Sequence, residues 1–167
     1  MPKVLQYIGQ FIAYALFATV VGYFATQPAY THLGPDTALI KLSFSHAGAH
    51  IRECRKLTQE ELEQLPPNMR RPTDCPRERL PLIVELELDG KIIYYEALPP
   101  SGLSSDGAST AYQKFPVPAG AHRLVARLRD SRREQGFDYE KAVDVNLTPA
   151  QNFVIDFRPE LGGFQFR

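Results

Sequence analysis

The sequence predicts a mainly β protein in which one N-terminal transmembrane helix precedes an antiparallel β-sandwich, with a short helix inside a disulfide-closed insert. Three observations carry this reading. An uncharged apolar run occupies the start of the chain, the rest alternates apolar and polar residues in short runs broken by proline and glycine, and the only two cysteines, Cys54 and Cys75, bracket one proline-rich segment.

The apolar run comes first. Val4 to Pro35 contains no Lys, Arg, Asp or Glu, and its apolar part, Val4 to Phe24, reaches the roughly 20 residues needed to cross a hydrocarbon core of about 30 Å. A cleavable signal peptide carries a shorter apolar region of roughly 7–15 residues, so the run predicts an uncleaved anchor over residues 1–27. Tyr23, Phe24 and Tyr30 stand at the distal end, where aromatic side chains favour the membrane interface, and Lys3 supplies a positive flank. Gln6 and Gln10 lie within the span, and Gly9 with Ala13 and Ala18 with Gly22 recur at four-residue spacing. Small residues permit close helix approach and a glutamine can hydrogen-bond across to a neighbouring helix, so Gln6 and Gln10 are candidate contacts to other membrane subunits.

Residues 28–37, including Thr31-His32-Leu33-Gly34-Pro35-Asp36, read as a linker to a domain spanning 38–167. Ala38 to His46 alternates, with Ile40, Leu42 and Phe44 on one side and Lys41, Ser43 and Ser45 on the other, the pattern of a half-buried strand. An insert follows over 48–81. In it, Thr58 with Glu61 fits a capping box and Leu57 with Leu62 a hydrophobic staple, predicting a helix from about Gln59 to Leu65 that Pro66-Pro67 stops. An even cysteine pair in an exported domain is most simply a disulfide, which places the domain on the oxidising side of a bacterial inner membrane with the N-terminus in the cytoplasm.

Beyond the insert, Leu82 to Leu88 and Lys91 to Ala97 flank Asp89-Gly90, a dipeptide suited to a two-residue type I′ hairpin. A regular hairpin sets Leu86 opposite Ile93 and Val84 opposite Tyr95, with Glu85 and Glu87 opposite Tyr94 and Ile92. After a polar loop from Ser101 to Ser109, Tyr112 to Val117 and His122 to Asp130 read as strands, the second alternating Leu124, Ala126 and Leu128 with Val125, Arg127 and Arg129. Two more, Tyr139 to Leu147 and Asn152 to Arg158, flank Thr148-Pro149-Ala150-Gln151. Such a run of about six to seven short antiparallel strands is the signature of an immunoglobulin-like sandwich. The turn Pro118-Ala119-Gly120-Ala121-His122 with its alternating strand resembles a feature of exported bacterial immunoglobulin-like and PEGA-type domains, a stretch too short to name a family.

Composition narrows the function classes. With 19 basic and 19 acidic side chains the formal net charge is zero, so there is no global field to draw in nucleic acid, and none is expected as a partner. No Gly-x-Ser-x-Gly elbow, phosphate-binding glycine loop or Cys-x-x-Cys-His motif is present. His32, His46, His50 and His122 fall into no zinc motif; the two cysteines lack companion ligands at a familiar spacing, and pairing removes Cys54 as a nucleophile. No catalytic residue, cofactor or metal ligand is therefore expected.

Arginines crowd the insert instead, and Arg55, Arg70, Arg71, Arg77 and Arg79 are candidate contacts to partner carboxylates or lipid headgroups, against the alternative of local pairing with its acidic residues. The tail Gly162-Gly163-Phe164-Gln165-Phe166-Arg167 offers Phe164 and Phe166, either to close a sheet edge or to insert into a partner. The leading expectation is a non-catalytic accessory or assembly subunit of a membrane complex, its helix in the lipid. The alternative is a free-standing anchored module that binds a solute, metal or envelope component.

Overall fold

The computed structural model describes residues 3–27 and 33–167, which form two compact units divided at Gly34 and Pro35. The expected contributions of Tyr30, Thr31 and His32 lie outside the described residues.

The first unit is one helix, α1 (Lys3–Thr26), 24 residues long. At about 1.5 Å per residue it extends about 36 Å, long and apolar enough to span a membrane. All its side chains are exposed within the chain. Two hydroxyls are satisfied by the helix itself: Thr19 Oγ1 donates to the Ala15 carbonyl at 2.8 Å and Thr26 Oγ1 to that of Gly22 at 3.1 Å. This suits an apolar solvent, where no water is present to satisfy them.

The second unit is built of ten strands: β1 (Thr37–His46), β2 (Arg55–Lys56), β3 (Thr73–Asp74), β4 (Leu82–Leu88), β5 (Lys91–Leu98), β6 (Ser109–Pro118), β7 (Gly120–Arg129), β8 (Tyr139–Leu147), β9 (Asn152–Arg158) and β10 (Gly163–Phe166). One four-stranded sheet has the order β10-β9-β1-β6, another the order β5-β4-β7-β8, and β2 pairs with β3 alone. Ala38, Ile40 and Leu42 of β1, Leu82, Val84 and Leu86 of β4, and Leu124, Ala126 and Leu128 of β7 are all 0% exposed and join one hydrophobic cluster fed by both large sheets. The period-2 alternation read from the sequence therefore marks the buried face correctly on all three strands.

Three features depart from expectation. The pairing is not wholly antiparallel, because β1 runs parallel to β9, with Ile40 beside Phe153 and Leu42 beside Ile155, while antiparallel to β6 on its other edge. The tail is a strand: β10 pairs antiparallel with β9 and buries Phe164 to 1% exposure, so the described strands outnumber the six or seven expected.

The hairpin register is also corrected. Asp89 and Gly90 have φ of 51° and 81°, the positive values a type I′ turn demands, and Glu87 faces Ile92 as expected. A bulge then shifts the ladder, so that Leu86 faces Tyr94, Glu85 faces Tyr95 and Val84 faces Glu96. The extra residue lets both Ile93 and Tyr94 pack against the core, leaving Ile92 and Tyr95 exposed. Alternation alone cannot foresee this, since a bulge is the one device that puts consecutive side chains on the same side.

Outside the core, the second sheet carries a buried charge. Glu85 is 8% exposed and lies in register with Arg127, which in turn lies in register with Glu140. The Arg127 guanidinium donates to Glu85, to Glu87 at 2.8 Å and to Glu140 at 3.1 Å, a ladder of alternating charge across β4, β7 and β8.

Candidate functional site

The insert between β1 and β4 is held by short-range structure rather than by a core. Helix α2 (Gln59–Gln64) has the expected capping box: the Thr58 side chain accepts from the Glu61 N–H, and the Glu61 carboxylate accepts from the Thr58 N–H at 2.9 Å. That backbone donor, aided by Arg55, holds the Glu61 carboxyl below its ordinary range. Pro66 and a 3₁₀ turn at Pro67–Met69 end the helix, and none of its residues is buried. The chain then returns so that β3 pairs with β2, Arg55 opposite Asp74, and Cys54 and Cys75, one residue outside that pair, are joined as a disulfide.

The arginines of the insert are mostly committed to the chain itself. Arg55 pairs with Glu61 at 2.7 Å. Arg70 donates to the Leu65 and Glu63 carbonyls at 3.0 and 3.4 Å, satisfying the end of α2. Arg77 grips Asp106 through Nε at 3.1 Å and Nη2 at 2.7 Å. Arg79 donates to the carbonyls of Asp106 at 3.1 Å and Gly48 at 2.9 Å, and its own N–H bonds to the Ser105 carbonyl. Of these four, only Arg55 pairs with an acidic residue of the insert; Arg77 pairs with Asp106 of the Ser101 to Ser109 loop, a partner that the sequence reading did not name, and Arg70 and Arg79 bond backbone carbonyls. Arg71 has no hydrogen-bond partner among the described residues and lines a cleft of about 440 Å³.

That cleft is where the separate pieces converge. His50, Thr73, Asp74, Cys75, Pro76 and Asp106 line it together with Arg71, Arg77 and Arg79. Its wall is fixed by a strand-like crossing: His50 bridges Arg79, Leu80 N–H bonds to the Ala49 carbonyl at 2.8 Å, and Ala49 N–H bonds to the Asp130 carbonyl at 2.8 Å. Gly48 allows this approach, because a Cβ there would lie 2.3 Å from the Leu80 carbonyl oxygen.

The histidines divide by their surroundings. His46 Nε2 contacts Asp130 at 2.7 Å with its ring against Phe157, and His122 is held between Asp89 and Pro118. His50 differs: its Nδ1 is buried and, among the described residues, is the only such side-chain nitrogen or oxygen without a hydrogen-bond partner. The Cys54 and Cys75 sulfurs and one His50 ring nitrogen all lie within 4.8 Å of one another. Sequence reading considered His50 with His46 and the cysteines with each other, and so missed the group; the only available signal was that His50 and Cys54 sit four residues apart beside a disulfide.

The remaining candidates are placed as follows. Gln6 and Gln10 are exposed on α1, with Gln10 Nε2 donating to the Tyr14 hydroxyl at 2.9 Å. Phe164 is interior, packed on Phe44 and Phe157, while half-buried Phe166 stacks on Phe153 with ring centroids 6.1 Å apart. The tail closes a sheet edge with both aromatics engaged by the chain itself. Compared with protein-family models, curated proteins and solved structures, the chain matches none of them.

Proposed function

We propose that the protein is a non-catalytic accessory or assembly subunit of a bacterial inner-membrane complex, with α1 in the bilayer, its N-terminus cytoplasmic, and an immunoglobulin-like domain docking on the periplasmic side. The observation that carries this reading is the composition of one face of α1. Gln6, Gly9, Gln10 and Ala13 fall at the i, i+3, i+4, i+7 spacing of a single helical stripe, and apart from the adjoining backbone of α1 itself no described atom lies within 4 Å of where a Cβ on Gly9 would sit. Amide groups in hydrocarbon need hydrogen-bond partners beyond what one tyrosine supplies, and small residues beside them admit a close helix. The partner is accordingly the transmembrane helices of a larger membrane protein. The disulfide supports the orientation, since such bonds persist on the oxidising side.

The test is purification of the tagged full chain from its native membrane in mild detergent, with mass-spectrometric identification of stoichiometric companions. Companions that persist through size exclusion, and that Gln6→Leu with Gln10→Leu disperses, are the expected result. A lone chain overturns the reading. A second reading, an anchored periplasmic binding module, is favoured by the arginine-lined cleft; a ligand that enters it would raise the melting temperature of the isolated chain.

A further inference from the structure

We infer that the dithiol form of the insert binds a single Cu(I) ion through Cys54 Sγ, Cys75 Sγ and the Nδ1 of His50, and that formation of the disulfide releases it. Both sulfurs and one ring nitrogen of His50 already lie within 4.8 Å of one another. Of the two ring nitrogens, Nδ1 is buried and engaged by no other described residue, which leaves it free to take a ligand role. A neutral ring protonated at Nε2 presents a lone pair there, as a metal ligand must.

The geometry does not depend on the sulfur–sulfur bond alone. Arg55 opposite Asp74 in the β2–β3 pair, the Leu57 N–H to Pro72 carbonyl bond at 3.1 Å and the capping box of α2 hold Cys54 and Cys75 side by side, their Cα atoms 4.2 Å apart. His50 is held separately by its bridge to Arg79. Reduction therefore leaves two thiols facing one imidazole.

The donor set and its charge select the ion. Two thiolates with an imidazole are soft ligands that favour Cu(I) or Zn(II). Cu(I) accepts three-coordination, and with two thiolates gives a centre of charge −1, whereas Zn(II) gives a neutral one that lacks a fourth ligand. The cleft beside the sulfurs presents three guanidiniums, of Arg71, Arg77 and Arg79, against the carboxylates of Asp74 and Asp106. That excess of positive charge stabilises thiolates and an anionic centre.

The redox step balances by thiol–disulfide exchange. A dithiol reductant transfers two electrons and two protons to the Cys54–Cys75 bond and leaves as its own disulfide; each cysteine then loses its proton to solvent as the metal binds. In the reverse direction a disulfide oxidant takes two electrons from the two thiolates, leaves as its dithiol with two protons from solvent, and sets the ion free as Cu(I).

This inference stands apart from the subunit reading, since a chain without partners would still take up copper. The test is anaerobic titration of the full-length reduced chain in detergent with Cu(I), competing against a colorimetric Cu(I) chelator, alongside X-ray absorption at the copper edge. Expected are one Cu(I) per reduced chain, at least about tenfold weaker binding by His50→Ala, no uptake by the disulfide form at the same free copper, and a first shell of two sulfurs and one nitrogen. Unchanged affinity in His50→Ala, a shell of sulfur only, or equal uptake by the oxidised chain overturns it. Spectroscopy on the unmutated protein keeps the test decisive if the variant fails to fold.

Discussion

The carboxylate of Asp89 meets the imidazole of His122 at 2.7 Å, tying the turn between β4 and β5 to the start of β7. The other ring nitrogen faces the Pro118 carbonyl at 2.9 Å. Both partners are acceptors, so the protonated ring, with a donor on each nitrogen, is the form that satisfies both contacts. The hydrogen bond to Asp89 raises the His122 pKa above its ordinary value of 6.5. The same bond, with the Arg123 N–H, holds Asp89 below its ordinary 3.8.

The sign of the pH dependence follows. The His122 contribution is fully present below pH 6.5 and is lost as pH rises through the folded-state value above it. The Asp89 contribution is present above pH 3.8 and is lost as pH falls through a value below it. Thermal melts of wild type and His122→Gln should therefore differ most between those two values and converge at alkaline pH. A difference that grows with rising pH would show the ring to be neutral in the fold.

Arg127 answers to a different balance. Its removal leaves Glu85, 8% exposed, without a counter-charge. Breaking a fully buried pair costs about 3–5 kcal/mol, and partial exposure here brings the expected loss for Arg127→Met to about 2–3 kcal/mol by urea denaturation. Adding Glu85→Gln should recover part of it, because a neutral amide needs no counter-ion. Equal stability of the single and double variants would mean that the ladder adds nothing.

The two tail aromatics should separate cleanly. Phe164 is 1% exposed, so Phe164→Ala should cost about 3–5 kcal/mol, within the range for buried phenylalanines. Phe166→Ala, at a half-buried site, should cost clearly less. Similar small losses for both would indicate that β10 contributes little to holding the sheet.

Replacing both cysteines by serine removes a cross-link with a sequence separation of 21. The chain-entropy estimate puts the loss at about 3 kcal/mol. Chemical denaturation should show this with a native-like spectrum retained, because no residue of α2 is buried and the hydrophobic cluster includes no residue between Phe44 and Leu82. Loss of the folded spectrum would mean that the insert helps build the core.

How far the sequence carries the structure depends on the range of the interaction. Thr58, Glu61 and the Asp89-Gly90 turn act over three or four residues, and their geometry follows from local chemistry. The buried faces of β1, β4 and β7 are equally readable, because alternation reports burial whatever the strand pairs with. Pairing is less so: the parallel contact of Ile40 with Phe153 and the bulge at Ile93 are decided by packing between segments far apart in sequence. The meeting of His50 with Cys54 and Cys75 was hidden for the same reason. It depends on Arg79 crossing His50 and on Asp74 pairing with Arg55, neither of which leaves a periodic trace.

The parallel β1–β9 pair also bears on the order in which the domain can assemble. β1 is the first of the described strands to be synthesised, yet in its sheet it lies between β6 and β9, and its pairing with Phe153 waits until β9 has been made. Until then an apolar strand bearing Ile40, Leu42 and Phe44 keeps its β9 edge open even after β6 has paired with the other. Long-range pairing of this kind slows folding and exposes the intermediate to aggregation. In such a chain, early tethering and a holding chaperone would matter more to yield than the final stability of the fold.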